Sequence, residues 1–406
     1  MEIIANQVAW KQALDTLSPI RTHGGSAGLP ILNCALLQAL DTGLTLTRSD
    51  RERQLRAPLL ATEVDGQGEL AVDARKLGSI IAALPTAAVV RARHTGERLT
   101  LTASVGARTV SRFTLGTLPG SDYPLMDLDP ARDGDGPAAG TADPATAGKS
   151  GAPLSRLTLP GKRLAAVINA TSFAMAKQDV RYYMNGMLLE WRGETLLLVA
   201  TDGHRLADVG LRAAVDGEAG QAIVPADTVT ILAKIGAETG DADLTLEMRQ
   251  NRMAVAWQGG DLVSKLIDGR FPEWRRVVPR RQHEAQWRLP VAETTAALGR
   301  VKILSHEQFH GVALEVREDE PETLYLSAAN TQRDEAEEAL PLTEPSAPGR
   351  WGFQIDYLLD VLGHCPAPEL EFKLGDAASS ALLGPGTTSG DEAQDDPEWV
   401  VMPMLL

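Results

Sequence analysis

Three times along the chain the same order of elements recurs. A strand leads into a helix, strands follow, a second helix comes next, and further strands close the unit. The helices show as apolar residues at helical spacing. Trp10, Leu14, Leu17 and Ile20 mark the first, and Leu77, Ile80, Ile81 and Leu84 the second, with Asp73 placed as its N-cap. Leu164, Val167, Ile168 and Thr171 follow, then Val229, Leu232 and Ile235, then Leu298, Val301 and Leu304, then Leu358, Leu359, Val361 and Leu362. The openings echo one another. Leu159-Pro160-Gly161-Lys162-Arg163 matches Leu289-Pro290-Val291-Ala292-Glu293, while Val72-Asp73-Ala74, Val224-Pro225-Ala226 and Phe353-Gln354-Ile355-Asp356 form a second set. A repeat of roughly 130 residues is domain-sized, so it predicts three similar α+β domains and not a solenoid. Two helices per unit would pack on one face of antiparallel strands. Similar domains joined end to end make an arc, and two arcs can close by two-fold symmetry, although the repeat alone also allows beads on a string.

The expected divisions are 1–128, 154–280 and 281–406, separated after the first by 129–153. That stretch is rich in Asp, Gly, Ala, Pro and Thr and lacks apolar periodicity, which predicts a disordered linker or insertion. No run of about 18 apolar residues predicts a membrane helix. The N-terminus has no basic-then-apolar leader, and Cys34 and Cys365 are the only cysteines, so a reducing cytoplasm with both as small core residues is expected, a single disulfide being the alternative. Net charge is −15. Taken alone it argues against nucleic acid, but it is a sum over the whole surface, and a ring can be acidic outside and basic inside.

Leu197-Leu198-Val199 reads as a buried strand running into the turn formers Thr201-Asp202-Gly203. His204 and Arg205 then stand on a short, stiff corner before the apolar Leu206-Ala207. Asp202 beside His204 could suggest an acid/base pair; a structural role in the turn is the other reading.

Four long motifs, in order, carry a resemblance. They are Gln178-Asp179-Val180-Arg181-Tyr182-Tyr183-Met184-Asn185-Gly186-Met187, Ala200–Ala207, Lys265–Val277 and the terminal Val400-Val401-Met402-Pro403-Met404. Together they resemble the bacterial beta sliding clamp family, the processivity subunit of the replicative DNA polymerase. The likeness covers the chain apart from 129–153 and a longer 384–397 loop. It implies three clamp domains in an arc that closes to a ring as a head-to-tail homodimer. Helices would line a hole holding duplex DNA. The protein would have no chemistry and no cofactor, and would tether the polymerase, the clamp loader and other clamp-motif proteins. Because a ring cannot fall off, weak phosphate contacts suffice, and they permit sliding.

The same resemblance assigns residues. Arg181, Met184, Thr201, Gly203, His204, Arg205 and Leu206 match one side of a peptide groove. Pro272, Arg276, Val277, Tyr357, Ala378, Ser380, Val400, Met402, Pro403 and Met404 match the rest. Met and Leu suit an adaptable apolar pocket, and Arg and His at the rim suit a peptide's polar groups. Lys177, Gln178, Arg181, Tyr182 and Tyr183 match the corner that faces DNA, where cations meet phosphate and tyrosines stack. Arg75, Lys76, Lys162, Arg163 and Lys302 lie on candidate pore helices; singly, each also reads as a solvated charge, and Arg75 is carried forward as a DNA contact. Lys76, Phe113, Leu115, Ile303 and Leu304 match the dimer contact, where the bland alternative is membership of separate cores.

Three features depart from the family or compete with it. Ser26 stands where the family often has an arginine that touches DNA, and Leu405 where it often has a penultimate arginine; both suggest an accessory clamp with altered partner preference. His306-Glu307-Gln308-Phe309-His310 fits the zinc-protease pattern. Gly311 and the strand-like Val312–Val316 follow at once, so a helix end turning into a strand is expected there, not a metal site. A clamp-like scaffold that does not encircle DNA is the third reading.

Overall fold

The computed structural model describes residues 1–21, 29–40, 43–126, 155–280, 283–386 and 396–405. The expected linker and Ser26 lie outside these. Six α-helices form among them: α1 (Gln7–Leu17), α2 (Ala74–Ala83), α3 (Gly161–Thr171), α4 (Ala226–Thr239), α5 (Val291–Val301) and α6 (Ile355–His364). That is two per repeat. Their starts explain the sequence echo. Pro160, Pro225 and Pro290 occupy the cap positions with φ of −61°, −58° and −60°, so the ring pre-sets the entry into the helix. Asp73 caps α2 as expected, accepting from the Lys76 amide at 2.8 Å.

The described residues divide into two compact units, Met1–Thr158 with Asp243–Lys265, and Leu159–Ala242 with Leu266–Leu406. The division does not follow the three repeats, and sheet pairing gives the reason. In the first unit, Gly260–Lys265 of the middle repeat pairs antiparallel with Arg53–Pro58 of the first, with Leu262 opposite Leu55 and Asp261 opposite Arg56. Arg56 binds Asp261 at 2.7 Å across that seam. In the second unit, Arg205–Arg212 of the middle repeat pairs with Glu398–Val401 of the third. Each junction between repeats is thus an edge-to-edge continuation of a sheet, which satisfies edge strands that would otherwise be exposed.

The second unit holds two apolar clusters. The larger gathers Trp287, Leu298, Trp351, Phe353, Leu358, Phe372 and Trp399 under α5 and α6. The smaller contains Leu188, Val199, Leu206, Phe271, Trp274, Val278, Leu382 and Val400. Several strands are longer than the alternation suggests, notably Arg108–Pro119. Arg205–Arg212 is a full strand where the sequence shows only an apolar stretch, and Glu335–Pro341 is a strand of mostly exposed residues with little apolar signal.

Candidate peptide-binding groove

The corner at 201–205 is built by its own side chains. The Thr201 hydroxyl donates to the Arg205 carbonyl at 2.7 Å and accepts from the Gly203 amide at 3.1 Å. Asp202 Oδ1 accepts from the amides of His204 (2.9 Å) and Arg205 (3.0 Å). Gly203 takes φ +92°, which a side chain resists. Asp202 is therefore committed to the turn, as the structural reading had it.

Arg205 corrects the expectation of a rim donor for a peptide. Its side chain is 9% exposed and its donors are used internally. Nε reaches Asp202 at 3.0 Å, Nη1 reaches Asp360 on α6 at 2.5 Å, and Nη2 donates to the Phe173 carbonyl at 2.9 Å. The guanidinium also lies 4.7 Å from the centre of the Tyr357 ring. Arg205 is a clamp that fixes the corner to α6. Thr201, 7% exposed, is likewise spoken for.

The C-terminal tail forms the facing wall. Val401 pairs with Arg205 and Val400 with Leu206, and the Met402 amide donates to the His204 carbonyl at 2.9 Å. On its other side the tail strand pairs with Ala381–Pro385, Ala381 opposite Val401, so Ser380 falls beside Met402. Leu206 and Val400 belong to the smaller cluster, which supplies the floor. The turn carrying Pro272, Arg276 and Val277 rests on that floor through Phe271, Trp274 and Val278. Above it Val277 is 48% and Met402 42% exposed, apolar side chains left facing solvent. The exposed His204 ring stacks on half-buried Tyr357 at 6.2 Å. Pro403 and Met404 are half-buried beyond them. Ala378 sits on an exposed turn closed by Asp376, two residues before Ser380.

Arg181 appears on both expected residue sets, and the geometry puts it at the corner. A Cβ on Gly203 would lie 3.3 Å from both terminal guanidinium nitrogens and 3.6 Å from Met184 Cε. Asp179 holds Arg181 through Nε at 3.0 Å and Nη2 at 2.8 Å, which lowers the Asp179 pKa to about 2. Asn185 braces this loop, accepting from the Asp179 amide and donating to its carbonyl. Lys177 and Gln178 are exposed on it, Gln178 at φ +57°. Tyr182 is 57% exposed and meets Tyr183 edge-on at 5.7 Å, while Tyr183 packs against the groove floor. Arg75 and Lys76 are exposed on α2, in the other unit. Phe113 and Leu115 are half-buried on Arg108–Pro119, whose 108–116 stretch pairs, among the described residues, only with Arg98–Val105. Ile303 is 77% exposed and Leu304 half-buried, just after α5.

Models of the DNA polymerase III beta subunit match the chain over 20–127 (N-terminal domain), 158–273 (central domain) and 275–404 (C-terminal domain). The beta sliding clamp of Escherichia coli strain K12 is 36% identical over 388 residues, 94% of each chain. The chain belongs to the DNA polymerase III beta subunit family. That of Pseudomonas aeruginosa is 34% identical over 93% of each chain. A crystal structure of the Pseudomonas aeruginosa DnaN sliding clamp bound to griselimycin superposes with TM-score 0.85 at 32% identity, covering all of both chains. The Caulobacter crescentus pol III beta structure gives 0.82 at 27% identity. The fold is the three-domain sliding-clamp fold, and the family is that of a non-catalytic accessory subunit.

The sequence reading missed part of the site. Phe271 and Trp274 lay inside a quoted motif and could have been read as the floor from their apolar character. Asp360 could not, because nothing local links it to Arg205, 155 residues away. The segment His306–His310 is not helical: it is a turn after α5, with His310 at φ +43° and its Nδ1 2.5 Å from Asp356. Among the described residues, no group of three or more His, Cys, Asp or Glu side chains is placed to hold a metal ion.

Proposed function

We propose that this chain encircles duplex DNA as a homodimeric ring and tethers the polymerase, the clamp loader and other motif-bearing proteins through the groove, without a reaction of its own. One observation carries the groove reading: a mid-chain corner and the C-terminal tail share a strand pair, and around it exposed Met402 and Val277 stand over a buried apolar floor. Short apolar anchors would seat there. Lys177, Gln178, Arg181, Tyr182, Tyr183 and Arg75 are the proposed DNA contacts.

Closure of the ring is supported by two strand edges. The 108–116 edge carries Phe113 and Leu115 after the exposed Arg108 and Arg112, while Glu335–Pro341 forms the edge of its sheet and presents Glu335 and Glu337. Edge strands of opposite charge from two copies are suited to pair. The proposed domains are 1–128, 154–280 and 281–406, and the proposed compartment is the cytoplasm. Among the described residues, no helix is long and apolar enough to cross a membrane.

The test is retention on DNA. Protein loaded on a closed circle should stay through repeated washing and be lost when the circle is linearised. Equal retention on both forms would favour a scaffold that does not encircle DNA.

A further inference from the structure

Between its first two helices the chain keeps a cavity remote in sequence from the groove. It measures about 740 Å³ and is walled by α1 and α2. A Cβ on Gly78 would meet nothing within 4 Å, so the α2 wall is open there. The charged groups at the lining are Lys11, Arg21, Arg48 and Arg75 against Asp15 and Asp73. Four cations against two carboxylates leave it positive, in a chain whose net charge is −15. Both carboxylates are already engaged. Asp15 pairs with Lys11, one turn away on α1, and Asp73 Oδ1 accepts the Lys76 amide as the cap of α2. Arg48 is half-buried on Gly43–Ser49. Its Nε is closed off from solvent and has no hydrogen-bond partner among the described residues. Asp50 and Asp73 are the carboxylates whose charge reaches it, and Asp50 Oδ2 is held by Arg53 at 2.7 Å. Burial outweighs them and lowers the Arg48 pKa. A desolvated guanidinium with an incomplete set of partners costs the fold free energy, which an anion entering the cavity would recover.

We propose that this cavity is a phosphate site, in which half-buried Arg48 is the inner ligand and exposed Arg75 the outer ligand of a phosphate-bearing anion. Two sources share that chemistry. One is a backbone phosphate of bound duplex DNA, which rests on the reading under Proposed function. The other is a small free anion such as pyrophosphate, which does not. A guanidinium suits either, since its planar fork gives two parallel N–H bonds to two phosphate oxygens. The size agrees, because small-ligand clefts run from roughly 300 to 1,000 Å³.

The test uses the full-length protein and two probes, sodium pyrophosphate and a short linear duplex. Calorimetric titration at low salt should show saturable pyrophosphate binding, weakened at least about tenfold by Arg48→Met. Arg48→Lys should recover part of it, since the charge returns without the fork. With the duplex, the slope of log affinity against log salt should fall by about one phosphate contact in Arg48→Met. Weakened pyrophosphate binding with an unchanged slope assigns the site to a free anion, the reverse assigns it to the DNA backbone, and a change in both means that the two sources share it. Without either probe, Arg48→Met should melt no lower than the unsubstituted chain, because it removes a desolvated charge. A lower melt would make Arg48 a structural residue and overturn the proposal. So would a variant that matches the unsubstituted chain with both probes. Failure of the ring reading shows separately, as equal retention on closed and linearised circles, and leaves the pyrophosphate result standing.

Discussion

The backbone amide of Met402 donates to the carbonyl oxygen of His204 at 2.9 Å. This bond closes one end of the ladder between Glu398–Val401 and Arg205–Asp208, and it brings two segments about 200 residues apart into one wall. Because the bond is main chain to main chain, the position of the tail does not depend on the Met402 side chain, which stays exposed.

Removing residues 402–406 should therefore separate binding from folding. The cluster beneath keeps Leu206, Val400 and Leu382. Affinity for an apolar-anchored peptide should fall at least about tenfold, as for loss of a central contact. Anisotropy and a thermal melt check this. A melt lowered as much as by a core truncation would show the tail to be a folding element.

Arg181 and Arg205 both reach Asp202 at the corner but differ in exposure, and should behave differently. Arg205→Ala strips a nearly buried guanidinium from Asp202, Asp360 and the Phe173 carbonyl, at a cost of about 3 kcal/mol in urea unfolding. Arg205→Lys should recover little, since a single ammonium cannot reproduce the three-way fork. Arg181→Ala removes an exposed pair and should leave the unfolding midpoint unchanged. Its effect should show only in ligand affinity.

Asp208 gives the chain a pH signature. It is 7% exposed, its Oδ1 has no hydrogen-bond partner among the described residues, and it lies opposite Glu398 in the same ladder. Burial first, then the Glu398 charge, raises its pKa to about 7, against the opposing pull of Arg280 and Arg275. A raised carboxylate keeps its proton in the folded state after the unfolded chain has lost it. Stability from this group is thus present near pH 4 and lost as pH rises to about 7. Asp208→Asn should raise unfolding free energy by about 2–3 kcal/mol at pH 8 and by little at pH 4. Denaturant titrations at the two pH values check it; an equal effect at both would mean the carboxyl is ionised throughout.

Ile303 should report on assembly. At 77% exposed it contributes little to the fold of one chain. Ile303→Asp should raise the dimer dissociation constant at least about tenfold while leaving the melt of the monomer intact, because each contact loses a large apolar side chain and gains a charge. Sedimentation velocity across a dilution series measures this.

The repeat was legible because helices announce themselves locally. An apolar stripe, a proline that sets φ and an N-capping aspartate are each read within a few residues, and all six helices follow from such signals. The family motifs were legible for the same reason: each is a contiguous run. What the chain order conceals is pairing between distant edges. Arg205–Arg212 carries little to mark it as the partner of Glu398–Val401, and nothing in Gly260–Lys265 points to Arg53–Pro58. Strand edges present the same main-chain groups whatever the sequence, so their choice of partner is made by the packing of the faces behind them. The corner at 201–205 shows the division most directly. Its turn was set locally by Thr201, Asp202 and Gly203. The fate of Arg205 was decided by tertiary structure, since only the folded chain brings Asp360 and Phe173 within reach of a guanidinium that the sequence offered as a free rim group.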